Sequence, residues 1–343
     1  MSQINIDKVK GVLYGKAIGD ALGVPMEFRS SALLMKEVPP GQIEYRPTAR
    51  KNASWKAGEW SDDTEMALAV VDAYLLGVEK DGLKATAQPS PRRIAERFLE
   101  WSSRDPRGMG NTTSEVLRHP LFVTDPLAAA NEVWVAGGRN GAANGAVMRA
   151  ASVGLLNPMD LVWTGEAAAT VAKVTHPDPR CVAGSVAIAL TVAALVSRPE
   201  VALPEVLQFA SNAGSLVDPS AKDWILAPKS LVELNLDEGM GGSSNQFPPI
   251  GYTWKAAGAG FWALRQWVEL EEDFRSADLF QYLLEAVLRA GGDTDTNAAV
   301  VGGLLGAVAG YNNIPLRLRQ GLLPEGRKRL DGVLTRLTRV QSA

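Results

Sequence analysis

The stretch "GGDTDTNAAVVGGLLGAVAG" (291–310) sets Asp293 and Asp295 at the mouth of a long uncharged run, with Thr294 and Thr296 interleaved. Consecutive oxygen-bearing side chains on a backbone loosened by Gly291 and Gly292 suit two purposes. One is capping: Asp and Thr at a helix start accept hydrogen bonds from free backbone N–H groups, and the helix dipole favours negative charge there. The other is ligation of a hard divalent cation, which takes several oxygen donors. A cap needs only one of these side chains. The local sequence supports both readings, so the rest of the chain must be asked for further acidic groups.

It supplies two. In "GEWSDDTEMALAVV" (58–71), Ser61, Asp62, Asp63 and Thr64 stand in a row before an apolar helical pattern. Adjacent carboxylates repel unless a cation, hydrogen-bond donors or solvent relieve them. In "GKAIGDALGVPMEF" (15–28), Asp20 and Glu27 lie amid Gly15, Gly19, Gly23 and Pro25. Three acidic groups at helix ends beside small residues are consistent with one shared divalent-metal site, and equally with separately capped helices. A fourth stretch, "GGRNGAANGAVMRAASVGLL" (137–156), runs a Gly/Asn-rich loop into a helical pattern. Such a loop exposes N–H groups that can cradle phosphate, although it also serves as a plain flexible connection. It is neither a Walker loop nor a Rossmann fingerprint, and no strand precedes it. An oxyanion ligand with a divalent metal is the chemical theme.

Composition narrows the metal. Cys181 is the only cysteine, which excludes an intrachain disulfide and a four-cysteine zinc site and suits a reducing, cytoplasmic compartment. His119 and His176 are the only histidines, so the ligands must be mostly oxygen, favouring magnesium, manganese or calcium over zinc. The net charge of −3, with no basic block, points away from nucleic acid as a partner. The opening "MSQINIDKVKGVLYGKAIGDALG" has no signal-peptide core.

The elements that must position these residues are helices. Hydrophobic residues at 46% and charged residues at 21% describe an ordinary globular chain with a core of good size. Apolar spacing predicts helices over 62–80, 90–104, 161–176, 179–197, 254–267 and 276–290. Pro- and Gly-rich joints fall at 36–59, 105–112, 136–145 and 237–251, and 237–249 is the expected mobile loop. Alternating strand patterns are scarce. The uncharged runs Cys181–Ser197 and Thr296–Leu316 are rich in Ala and Gly; they read as helices buried on all sides and closely approached by neighbours, rather than as membrane spans. The expectation is a mostly or wholly α-helical, monomeric protein, one domain over 1–343, with a basic helix at 325–340 packed against the rest.

Taken in order, "GKAIGDALGVPMEF", "WSDDTEMAL", "GNTT" (110–113), "NGAVMRAASVGLL", "THPDPRCV" (175–182), "IGYTWKAAGAGFWAL" (250–264) and "GGDTDTNAAVVGGLLGA" resemble the ADP-ribosylhydrolase (ADP-ribosylglycohydrolase) superfamily, which includes the dinitrogenase reductase-activating glycohydrolases. The resemblance covers nearly the whole chain. It implies a compact, all-α, orthogonal multi-helix domain with a central cleft holding two divalent cations, Mg²⁺ or Mn²⁺. By the same resemblance Ser61, Asp62 and Asp63 match the first ligand group, with Ser where Thr is usual, and Asp293, Asp295 and Thr296 match the second. Glu27 matches a glutamate implicated in catalysis. Asn144, Gly145, Ala146 and Val147 correspond to the segment that binds the diphosphate; Gly110, Asn111 and Thr112 fall in a further matching segment assigned to substrate. His176 and Tyr252 match positions lining the ribose and adenine regions.

The implied reaction releases ADP-ribose from a modified protein or small-molecule acceptor. Breaking the C1″ bond develops oxocarbenium-like charge, and Glu27 or Asp62 is placed to serve as general base or ligand. A non-catalytic ADP-ribose-binding relative, as among lens crystallins derived from the family, is the alternative. One departure concerns the acceptor: members acting on ADP-ribosyl-arginine often carry Asp two residues before the Gly of the "GNTT" segment, and here that residue is Gly108.

Overall fold

The computed structural model describes residues 4–50, 53–227, 229–239 and 249–341. Most of the loop expected at 237–249, residues 240–248, lies outside the described residues. The chain is an all-α assembly, as its periodicity predicts, and helix boundaries follow local chemistry. The helix Asp62–Asp81 ends at Gly82, whose φ of 65° is the left-handed conformation of a glycine C-cap. Ser90 caps Pro91–Arg104, and Asp178 caps Pro179–Ser197, each with Pro at the first turn where its missing N–H is not needed. The helix expected over 161–176 stops at Lys173. Residues 174–178 leave it as a turn toward the cleft described below.

At the centre lies an antiparallel pair, the N-terminal helix Ile6–Gly23 and the helix Thr294–Ala309. Glycine recurs every fourth residue on the first, at 11, 15, 19 and 23, so all four share one face. They meet Gly306, Gly302, Ala298 and Asp295 respectively. A methyl added at Gly15 would overlap the Gly302 carbonyl oxygen, and one at Gly19 would overlap that of Ala298. Backbones this close gain many dispersion contacts and permit Cα–H···O contacts, which is how a seam with almost no side chains holds. The same small residues explain why an uncharged run can be fully buried without bulky packing.

The Pro179–Ser197 helix is apolar and long enough to cross a membrane by composition, and 94% of its most apolar window is buried among neighbouring helices. The C-terminal helix Pro324–Gln341 turns Leu330, Val333, Leu337 and Val340 inward. Its Arg336 pairs with Asp72 at 2.6 Å and Glu79 at 2.7 Å, and its Asp331 accepts the Tyr14 hydroxyl at 3.0 Å.

Two short ladders were not foreshadowed by any alternating pattern, because neither is longer than three residues. Thr48–Arg50 pairs with Ala53–Trp55. Arg29–Ser30 pairs with Gly291–Gly292, clasping the segment after Glu27 to the segment before Asp293. Gly291 and Gly292 take φ of 77° and 80°, open only to glycine at low strain.

Candidate active-site cleft

The first acidic group is built by a cap that comes from another helix. Asp20, wholly buried in the N-terminal helix, accepts the Ser61 N–H at 2.8 Å on one oxygen. Its other oxygen accepts the Thr64 N–H at 2.9 Å and the Thr64 hydroxyl at 2.6 Å. Asp20 therefore satisfies N–H groups at the start of Asp62–Asp81 from 41 residues away in sequence. Ser61 accepts only a long bond from Asp63 N–H at 3.4 Å. Asp62 and Asp63 are thereby relieved of capping, and both side chains line the cleft.

The second group is freed in a similar way. Asp293 occupies the N-cap position of Thr294–Ala309 without making a side-chain cap bond. Its carboxylate instead accepts from the Asn144 amide at 2.8 Å. Thr294 turns inward and donates to the Gly23 carbonyl at 2.8 Å, tying the two central helices together. Thr296 donates to Asp63 Oδ2 at 3.3 Å, which joins the two acidic groups directly. The Asn144 loop is itself held by a bridge between Ala143 and Tyr252, with Asn144 N–H on the Gly251 carbonyl at 2.9 Å.

Ligand-capable oxygens of Asp20, Asp63 and Asp295 lie within 4.8 Å of one another, and so do those of Glu27, Asp293 and Asp295. The two triads share Asp295. Asp62 belongs to neither, and Ser61 joins through its hydroxyl, 3.2 Å from Asp63 Oδ2. Burial first, then the Asp20 and Asp293 carboxylates, push Asp62 up to about 7. Burial, then Asp20, likewise hold Asp63 well above the ordinary carboxylate range; burial, then Asp293 and Asp63, do so for Asp295. Lys16, 3% exposed, lies beneath the cluster and donates to the Met148 carbonyl; burial lowers its pKa against the pull of Asp63, Asp20 and Asp62. Asp63 Oδ1 is buried with no hydrogen-bond donor among the described residues. Crowded carboxylates and an orphaned buried oxygen are what a hard divalent cation relieves, so the residues present fit such an ion.

Asp62, Asp63, Asp293, Asp295 and Thr296 line a cleft of about 850 Å³. Its lining includes Glu27, Gly110, Asn111, Thr112, Asn144, Gly145, His176 and Tyr252. Three expected site residues do not line it. Ala146 and Val147 are buried behind the loop, and Ser61 faces a smaller cavity of about 230 Å³ walled by Trp55, Trp60 and Trp101. Gly108 also lines the cleft, with φ of 87°, and a methyl there would overlap Asp62 Oδ1.

Asp20 was legible as one of the acidic groups but not as a cap for another helix, and Lys16, Phe28 and Arg180 were not among the expected site residues. Phe28 has a φ of 62°, is 55% exposed and lines the cleft beside Glu27. Arg180 lines it too, pairing with Asp178 at 2.8 Å and lying over the Tyr252 ring. The "DPR" spacing, Asp178 with Arg180, was the available signal for the second.

The arrangement offers a carboxylate-rich end able to hold metal and move a proton, and a Gly/Asn loop able to receive an oxyanion. Comparison with known proteins agrees with that chemistry. The family model described as ADP-ribosylglycohydrolase matches residues 1–343. The chain is 25% identical over 320 residues to ADP-ribosylarginine hydrolase Tri1 of Serratia proteamaculans, covering 91% of this chain and 74% of that one. It is 29% identical over 177 residues to the ADP-ribosyl-[dinitrogen reductase] glycohydrolase of Rhodospirillum rubrum, covering 50% of this chain and 52% of that one. A solved structure, an ADP-ribosylglycohydrolase-related protein complex, superimposes with a TM-score of 0.66 at 22% identity, covering 98% of both chains.

Proposed function

This chain belongs to the ADP-ribosylglycohydrolase family, and on that premise we propose that it is a divalent-metal-dependent hydrolase releasing ADP-ribose from a modified protein or small-molecule acceptor by cleaving the C1″ bond. The observation that carries the reading is the pair of carboxylate triads sharing Asp295, whose residues Glu27, Asp63, Asp293 and Asp295 line one cleft together with the Asn144–Gly145 loop.

Two divalent cations, Mg²⁺ or Mn²⁺, held among Ser61, Asp62, Asp63, Asp293, Asp295 and Thr296, would supply Lewis-acid orientation of the ribose hydroxyls and a more acidic water. The chain's own residues do the rest. Gly145, just before the helix Val147–Val153, offers its backbone N–H to the diphosphate, while the Asn144 N–H holds the loop on the Gly251 carbonyl. Tyr252 and His176 bound the nucleoside side of the cleft. Glu27 or Asp62 takes a proton from the attacking water as its oxygen bonds to C1″; the C1″–acceptor bond breaks, and the acceptor leaves with a proton. Retention of every acidic position supports a hydrolase over a non-catalytic binder.

The test is release of ADP-ribose from arginine-, serine-, nucleotide- and O-acetyl-linked substrates assayed side by side. Cleavage of at least one, abolished by EDTA and restored by Mg²⁺ or Mn²⁺, is the expected result. Activity that survives EDTA and exhaustive dialysis sinks the metal assignment.

Position 108 bears on the acceptor. A carboxylate there cannot be added without moving Asp62, so this backbone offers nothing at that point to grip a guanidinium. Gly108→Ala, strained at a φ of 87° and overlapping Asp62, should lower kcat by about 10²-fold with little change in ADP-ribose affinity. An unaltered kcat would mean that Asp62 does not need its present position.

A further inference from the structure

Arg149 is 0% exposed, yet no carboxylate pairs with it among the described residues. Two of its nitrogens donate to nearby oxygens, while Nε is buried with no acceptor among the described residues. One nitrogen donates to the Gly145 carbonyl. Another donates to the Val171 carbonyl at 3.1 Å and to the Thr175 hydroxyl oxygen at 2.6 Å. That hydroxyl oxygen lies 2.7 Å from Nδ1 of His176.

The direction of this chain follows from donor counting. A guanidinium can only donate, so Thr175 Oγ accepts from it. Thr175 is wholly buried, and Nδ1 of His176 is the one acceptor within reach of its hydroxyl proton among the described residues. A proton sent elsewhere would be buried without a partner. Nδ1 is then the acceptor, and the imidazole carries its proton on Nε2. That nitrogen has no protein partner among the described residues, and it lies beside Gly145, where an added methyl would come within 2.9 Å of it. His176 lines the cleft at this point.

We propose that Arg149 and Thr175 are positioning residues that fix His176 as the neutral Nε2–H tautomer, so that it presents a single hydrogen-bond donor to an oxygen of the bound diphosphate or of its adjoining ribose. Burial first, and then the positive charge of Arg149, push His176 down to about 3, with Asp178 opposing, so the ring stays neutral throughout the working range. The same guanidinium also holds the Gly145 carbonyl, so it anchors both the loop and the histidine. A buried cation without a carboxylate also favours an anion in the space above it.

The inference rests on the reading of the cleft as an ADP-ribose site, and the experiment separates the two. The chain has two histidines, so ¹⁵N-detected spectra of the whole protein show two imidazoles, assigned with His119→Gln. In the ligand-free protein His176 should show the Nε2–H pattern. Thr175→Val should convert it to a mixture or to Nδ1–H and weaken ADP-ribose binding about 10-fold, the scale of one lost hydrogen bond to a charged group. Thr175→Ser should restore both. An Nδ1–H signal in the parent, or a Thr175→Val protein that keeps the Nε2–H tautomer and full affinity, overturns the proposal. Absence of ADP-ribose binding by the parent would overturn the reading of the cleft, while the tautomer measurement still decides the relay. Arg149→Lys gives a second arm: it keeps the charge but loses the forked donor, and should loosen the tautomer as Thr175→Val does.

Discussion

Asp295→Asn should lower kcat/KM for ADP-ribosyl hydrolysis by about 10³-fold or more while leaving the metal-free protein at least as stable as its parent. Among the described residues, Asp295 is the carboxylate common to both triads, so one substitution takes a charged ligand from each. Loss of metal-based charge stabilisation is worth several kcal/mol, and each 1.4 kcal/mol is tenfold in rate. The stability half of the expectation has a separate cause. Burial first, and then crowding by Asp293 and Asp63, raise the pKa of Asp295, so ionising it in the metal-free protein is unfavourable. Asn keeps the shape and the bond to the Thr296 N–H without the charge. Kinetics across a Mn²⁺ titration and thermal unfolding in EDTA check the two halves. Activity within tenfold of the parent at saturating Mn²⁺ would rule out the shared-ligand role, and a lowered midpoint in EDTA would rule out the repulsion argument.

Gly19→Ala should cost about 3 kcal/mol or more, or prevent soluble expression, whereas Gly332→Ala should stabilise by roughly 0.5–1 kcal/mol. The chemistry of the change is identical. At Gly19 the new carbon overlaps the Ala298 carbonyl, backbone against backbone, and neither helix can yield without shifting the first turn that carries Asp295. At Gly332, on the exposed side of the C-terminal helix, nothing lies within 4 Å, and the gain is the lower backbone entropy of the unfolded chain. Urea unfolding of the two variants beside the parent tests the contrast. Equal small effects at both positions would mean that the glycine seam is looser than its geometry indicates.

What could be read in advance was whatever depends on near neighbours in the chain. Asp62–Asp81 and Pro179–Ser197 were legible because apolar spacing and caps are local. The paired aspartates were legible as oxygen donors, and the Ala- and Gly-rich uncharged runs as closely approached helices. Their assignment away from capping was not, since it depends on Asp20 and Asn144 reaching across from other elements. Nor did the run "NGAVMR" disclose that Ala146 and Val147 face the core while Arg149 turns beneath the loop. Arg149 carried no reading of its own within the stretch 137–156, and Thr175 fell inside the helix expected over 161–176. A charge with no nearby acid in sequence cannot announce that its partners are carbonyls.

The glycine seam also sets an order of events during synthesis. The face of the first helix that carries Gly11, Gly15, Gly19 and Gly23 has its partner in residues 294–309, so it leaves the ribosome long before anything exists to cover it. At translation speeds of about 5–20 residues per second, that wait is on the order of tens of seconds. Neither carboxylate triad can assemble until Asp293 and Asp295 have been made. The acidic cluster is therefore among the last parts of the molecule to be completed, because it needs residues from the final hundred of the chain.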